Sequence, residues 1–268
     1  MTIRKPAVAG QFYHGSKAAL EKEVGRLVDM AAKKEACLGV LSPHAGYTYS
    51  GRVAGKTLSR IKFRDSFIIL GPNHTGQGKP FAITSCGRWQ MPMGDVAIDE
   101  ELASIILKNS RHIEEDAAAH LHEHSVEVQI PFLQYLDKDL KFVPIIISDS
   151  DLETFRDIGK ELAKAVREYK KGVVIIASSD MTHYEPHEAA KKKDSLAIDA
   201  ILNLDEKGLL DVIRREDISM CGYAPAIVML SALKEMGARN AELIDYMTSG
   251  DTSGDYSAVV GYAGILIL

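Results

Sequence analysis

The stretch Val173-Val174-Ile175-Ile176-Ala177-Ser178-Ser179-Asp180-Met181-Thr182-His183-Tyr184 runs from five apolar residues straight into a polar turn with an aspartate and a histidine. A short β-branched run without polar alternation reads as a strand covered on both faces, the kind found in parallel sheets packed between helices. The same reading applies to Leu38 to Leu41, Phe67 to Leu70, Phe142 to Ile147 and the Gly-rich run Ala258 to Leu268. Amphipathic stretches with helical spacing lie between them: Lys17 to Lys33, Glu100 to Lys108, Val126 to Leu136, Asp151 to Lys170, Glu188 to Asn203 and Ala224 to Met236. Asp151 is the expected N-cap of the fourth, with Phe155, Ile158, Leu162 and Val166 on one face. Alternating strands and helices predict an α/β fold, a three-layer sandwich around a largely parallel or mixed central sheet, to which the C-terminal run adds antiparallel pairs. Without repeats or Pro/Ser-rich linkers, residues 1–268 read as one domain.

Composition narrows the function. The 268 residues are 46% hydrophobic and 26% charged, with a net charge of −5. A pI near 6.0 argues against a nucleic-acid partner. Lys191-Lys192-Lys193, followed at once by Asp194, reads as a solvated helix face. With no long apolar span and no signal-peptide core in MTIRKPAVAG, a cytoplasmic, membrane-independent protein is expected. Three scattered cysteines, Cys37, Cys86 and Cys221, form neither a disulfide framework nor a paired zinc motif.

The chemistry gathers where the strands end. Leu38 to Leu41 leads into Ser42-Pro43-His44-Ala45-Gly46, Phe67 to Leu70 into Gly71-Pro72-Asn73-His74, and the opening stretch into Asp180 and His183. Ligands of open α/β sheets bind beyond the carboxyl ends of the strands, so these exits are expected to converge on one polar site. A lone histidine is usually a hydrogen-bonded loop residue. His44 and His74, however, share a preceding proline and a glycine two positions on, which fix ring and backbone for a small ion, and both are expected to be metal ligands.

Cys221, just ahead of a helical stretch and beside Gly222, is expected to have a lowered pKa and to serve as a nucleophile or soft metal ligand. Two imidazoles and a thiolate make an open three-ligand site suited to Fe(II), Cu or Zn. Asp180 is the expected orienter of a ligand or water, and His183 the expected general acid/base. In His120-Leu121-His122-Glu123-His124-Ser125-Val126-Glu127, Ser125 and Glu127 read as helix cap and dipole complement, His120 and His122 as evenly balanced between site and surface, and His124 as a site residue. The loop Gly250 to Asp255 reads as a structural turn with carboxylates available to a pocket rim. No phosphate loop, dinucleotide fingerprint or serine-hydrolase elbow is present.

Six blocks in order, Arg4-Lys5-Pro6-Ala7-Val8-Ala9-Gly10-Gln11-Phe12-Tyr13, SPHAGYTYSG at 42–51, GPNH at 71–74, EHSVEVQIPFL at 123–133, SSDMTHY at 178–184 and CGYAPA at 221–226, resemble the Memo family over almost the whole chain. The resemblance implies a fold similar to class III extradiol dioxygenases, metal-binding positions at His44, His74 and Cys221, catalytic-type positions at Asp180 and His183, and a further pocket histidine at His124. It also implies copper- or iron-linked redox behaviour and, by analogy with the AmmeMemoRadiSam system, radical-SAM and AMMECR-type proteins as partners. The dioxygenases use a carboxylate as third iron ligand where this sequence offers Cys221, so ring cleavage is not implied.

Two readings from other classes compete with a metal-dependent redox enzyme. One is a binding or signalling module that takes a peptide or small ligand on an aromatic wall of Trp89, Tyr47, Tyr49 and Tyr223. The other is a zinc hydrolase with Glu123 or Glu127 as base.

Overall fold

The structure, a computed structural model, describes residues 3–268. In chain order the elements of the first half are β1 (Ile3–Arg4), α1 (Lys17–Leu27), β2 (Gly39–Ser42), α2 (Tyr47–Leu58), β3 (Ser66–Pro72), β4 (Phe81–Ile83), β5 (Arg88–Trp89), β6 (Val96–Ile98), α3 (Glu100–Asn109), β7 (Glu114–Glu115) and α4 (Ile130–Leu136). The second half adds β8 (Lys141–Ile147), α5 (Leu152–Tyr169), β9 (Val173–Ser178), β10 (His183–Glu185), α6 (His187–Leu202), α7 (Glu206–Arg215), α8 (Tyr223–Glu235), β11 (Ala241–Thr248), α9 (Gly250–Ser253) and β12 (Val259–Ile267).

The apolar runs form the middle of a mixed sheet, where β8, β3, β9 and β2 lie side by side and parallel. Every residue of β2, β3 and β9 is buried, as a sheet covered on both faces requires. The C-terminal β12 joins β2 antiparallel and carries β11 on its other edge. One helical layer is built from α1, α2 and α4, and the other from α3, α5, α8, α7 and α6 in contact succession. The expected α/β sandwich with a mixed sheet is therefore the observed architecture. No helix among the described residues is long and apolar enough to cross a membrane.

Register places the site. Leu41 and Leu70 both pair with Ala177, so β2, β9 and β3 end abreast and release their chains at one level. Close packing beneath this level relies on glycine at Gly264, where a Cβ would collide with Thr57 of α2. Asp151 caps α5 as expected, accepting from Thr154 N at 2.8 Å.

Some boundaries differ from the sequence reading. Helix α1 stops at Leu27 rather than Lys33, because Val28 turns extended where Leu27 meets Gly51 and Gly55 of α2. The stretch Val126 to Leu136 begins as a 3-10 turn at Glu127–Gln129 and becomes α-helical at Ile130. Helices α2 and α7 and strand β11 were not anticipated. The glycines of α2 interrupt its apolar period, and β11 is a half-exposed edge strand bearing Glu242 and Asp245.

Candidate metal centre

Three strand exits and the start of α8 deliver the site. From β2, Pro43 turns the chain so that His44 lies buried with its backbone N–H on Asp180 Oδ1 at 2.7 Å. The His44 Nδ1 atom meets Ser178 Oγ at 2.9 Å, and Nε2 meets Cys221 Sγ at 3.1 Å. From β3, His74 reaches the open side of the cleft with Nδ1 on Glu123 Oε1 at 2.9 Å and its backbone N–H on Glu123 Oε2 at 2.7 Å. Cys221 is held by the Asp180 N–H at 3.3 Å. A Cβ on the adjoining Gly222 would collide with Ser178 O and Ser179, so only glycine lets Cys221 approach this closely.

One donor atom from each of His44, His74 and Cys221 falls within a 4.8 Å cluster. The His74, Glu123 and His124 set meets the same limit. Ring planes interlock: His74 stacks on His124 at 4.6 Å, and His44 stands edge-on to His74 at 5.2 Å and to His124 at 5.4 Å.

His183 reaches the same cleft by a different route. Strand β10 pairs with the start of β12, and the His183 ring turns Nδ1 to Ser219 O at 2.9 Å. A carbonyl only accepts, so Nδ1 carries the proton and Nε2 keeps a lone pair. Behind this loop, buried Asp194 accepts from Thr182 N at 2.9 Å and Tyr246 Oη at 2.7 Å. The cleft, about 530 Å³, has buried His44 and Asp180 at its floor and is also lined by His74, His124, His183, Phe12, Tyr49, Tyr184, Tyr262, Ser253 and Asp255.

Burial sets the ionisation of the floor. It holds His44 well below the usual imidazole range, with His124, His74 and His183 adding to the effect, and it lowers His124 as well. Burial raises Asp180 to about 6, although backbone N–H groups of His44 and Ala45 and the neighbouring His183 oppose it. For Glu123 burial also acts upward, but the His74 bond and ring, the Ser125 N–H and His124 outweigh it and hold the carboxyl at about 2. Cys221 departs from expectation. Its thiol is pushed up rather than down, first by burial and then by the Asp180 carboxylate beside it, which together override the helix start.

These shifts set a pH dependence. His44, His124 and the separately buried His120, at about 4, all sit below the free-ring value of 6.5. Below that value the unfolded chain takes up protons that the folded chain refuses, so their stabilisation is full above it and is lost on acidification. Asp180, raised from 3.8 to about 6, works in the opposite sense over that interval and offsets part of the loss. With chelator present, urea unfolding at about pH 7 and about pH 5 is expected to show lower stability at the acid value, by ~1.4 kcal/mol per pH unit for each uncompensated histidine. Asp180→Asn should steepen the loss.

Other expectations are corrected by packing. Glu127 neither serves a helix dipole nor faces the cleft. It is fully buried and accepts from Arg4 Nη1 at 2.5 Å, Tyr13 Oη at 2.6 Å and the N–H groups of Ala7 and Val8. Ser125 does not cap a helix but donates to Pro72 O. His120 is buried against Trp89, and His122 is exposed, so neither joins the cleft. The aromatic wall does not form: Tyr47 is buried and donates to Val128 O, Trp89 packs under Arg4, Tyr223 bonds Asp149, and only Tyr49 of the four lines the cleft. Sequence reasoning missed Ser178, a buried polar residue at the end of an apolar block, Gln129, a buried polar residue inside one, and Glu123 as the partner of His74.

Comparison with known proteins decides the family. The sequence profile described as Memo-like protein matches residues 4–266. The chain belongs to the Memo family. Memo relatives, each described as a MEMO1 family protein, include one from Methanococcoides burtonii, 46% identical over 99% of this chain and 100% of its own. Another, from Pyrobaculum aerophilum, is 45% identical over 99% of both chains. The crystal structure of an uncharacterised protein from Escherichia coli K12 matches 85% of this Memo chain and 98% of its own, with a TM-score of 0.57 and 15% identity, a likeness of fold.

Proposed function

We propose that this Memo family protein holds Fe(II) or Cu on His44, His74 and Cys221 and performs redox chemistry on a small molecule admitted by the cleft. The observation that carries the reading is the 4.8 Å cluster of donor atoms in which both imidazoles have Nδ1 engaged from behind, leaving Nε2 as the free donor. Two nitrogens and a sulfur suit iron, copper or zinc rather than magnesium or calcium. Bound there, iron or copper supplies one-electron chemistry with open coordination positions, whereas zinc supplies only Lewis acidity.

The chain's own groups provide the rest. His183 Nε2, with its lone pair towards the cleft, accepts a proton from substrate, and Nδ1–H on Ser219 O keeps the ring from turning. Asp180, with Oδ1 occupied by two backbone N–H groups, holds or releases a proton near neutrality. His124, stacked on His74, restricts how that ring tilts. Among the described residues no Lys or Arg lines the cleft, so its own side chains supply no fixed cation to a substrate.

Elemental analysis of anaerobically purified, tag-free protein tests the proposal. About one iron or copper per chain is expected, lost in His44→Ala and Cys221→Ala while the circular dichroism spectrum and thermal transition persist. Unchanged metal content in both variants, or no transition metal after reconstitution, overturns it.

A further inference from the structure

We infer that Ser178, its hydroxyl proton committed to Ser125 O, is a positioning residue that locks the buried His44 ring in its Nδ1–H tautomer and so directs the Nε2 lone pair at Cys221. The inference deepens the proposed metal site and rests on it for its function, but the hydrogen-bond accounting stands without metal.

Ser178 lies at the last position of β9, fully buried, and its hydroxyl has three neighbours: Ser125 O at 2.7 Å, Gln129 Nε2 at 2.8 Å and His44 Nδ1 at 2.9 Å. A hydroxyl has one proton and two lone pairs. The Ser125 carbonyl only accepts, so it takes the proton. The Gln129 amide nitrogen only donates, so it takes one lone pair. Only the second lone pair remains for His44, and a lone pair is satisfied there only by Nδ1–H.

Ser125 O is therefore the deciding acceptor, and the Gln129 amide, its orientation fixed by its surroundings, fills the other lone pair. The same Nε2 donates to Pro43 O at 2.9 Å, with Ser42 O at 3.5 Å. A flipped amide would set oxygen against oxygen at Pro43 and leave Ser178 without a donor. In the observed orientation Gln129 Oε1 is buried and has no hydrogen-bond partner. An unsatisfied buried acceptor destabilises the chain. The two contacts of Nε2, to Pro43 O and to Ser178 Oγ, hold the amide in this orientation despite that loss.

That opposite tautomer would place a proton on Nε2, 3.1 Å from Cys221 Sγ, where the lone pair of a ligand is needed. The backbone N–H of His44 on Asp180 and the Pro43 carbonyl on Gln129 hold the main chain, so the relay acts on the ring's proton rather than on its position.

Long-range proton–nitrogen NMR correlation of the imidazole rings, on metal-free protein at slightly alkaline pH, reads the tautomer directly. The His44 signals, assigned by their loss in His44→Ala, are expected to show Nδ1–H in the parent chain and a shift towards Nε2–H in Ser178→Ala and in Ser178→Val. The second variant is isosteric with threonine, lacks only the hydroxyl, and serves if the first does not fold. Zn(II) affinity, measured by chelator competition, is expected to fall about 10–100-fold in both variants and to recover in Ser178→Thr. An Nε2–H ring in the parent, or an Nδ1–H ring retained in both variants, overturns the inference. Failure of every form to bind Zn(II), with the tautomer shift still present, counts against the metal reading and leaves the relay in place.

Discussion

Glu123→Gln is expected to weaken transition-metal binding at the His44, His74 and Cys221 site by about 10–100-fold. The carboxylate satisfies four donors at once. Its Oε1 accepts from His74 Nδ1, His124 N and Ser125 N, each at 2.9 Å, and Oε2 accepts from His74 N at 2.7 Å. Glutamine has the same shape but one acceptor fewer, and its NH2 must face N–H wherever it is placed. With NH2 at the Oε2 position, the His74 backbone loses its anchor. With NH2 at the Oε1 position, three donors are opposed and the His74 ring is free to turn. Burial leaves no water to compensate, so a stability loss of ~1–3 kcal/mol should accompany the weaker binding. Chelator competition and urea unfolding measure the two effects separately. Unchanged affinity alongside reduced stability would show that Glu123 supports the fold without positioning His74.

Glu127→Met is expected to be the most destabilising single change away from the candidate ligands, by about 3–5 kcal/mol, or a fall in Tm of roughly 10 °C. Glu127 is fully buried and ties the N-terminal segment to the wall of the cleft through Arg4, Ala7, Val8 and Tyr13. Methionine fills the volume but leaves the Arg4 guanidinium buried without its counter-charge. Arg4 also donates to the carbonyls of His120 and Glu123 and lies 4.0 Å from the Trp89 ring, so it cannot swing into water without releasing those contacts. Adding Arg4→Met should therefore recover part of the loss, because the unpaired charge goes with it. Differential scanning calorimetry of the single and double variants provides the check. A single variant within ~0.5 kcal/mol of the parent would remove the N-terminal strap from the account of stability.

The two glutamates show where sequence reading ran out. Both stand in one short acidic and imidazole-rich run, and both read as equivalent candidates for a base. The fold gives Glu123 to the His74 ring and Glu127 to Arg4, a division that depends on partners 49 and 123 residues away. Cys221 shows the same limit. Its place before a helix argued for a lowered pKa, but enclosure beside Asp180 reverses the sign. Trp89, Tyr47 and Tyr223 had the right chemistry for an aromatic wall, and packing sent each elsewhere.

By itself the sequence determined the central strands, the polar turns that end them and the residue types those turns carry. These are local properties: a β-branched apolar run specifies a covered strand, and Pro and Gly specify a turn, whatever lies across the sheet. Tertiary structure alone decided which donor atoms face one another. His44 and Cys221 are 177 residues apart, His44 and Ser178 are 134 apart, and each pair meets only because β2 and β9 end abreast with α8 starting beside them. A hydrogen bond or a ligand set is fixed within tenths of an ångström by the register of distant strands, and no local pattern encodes that register.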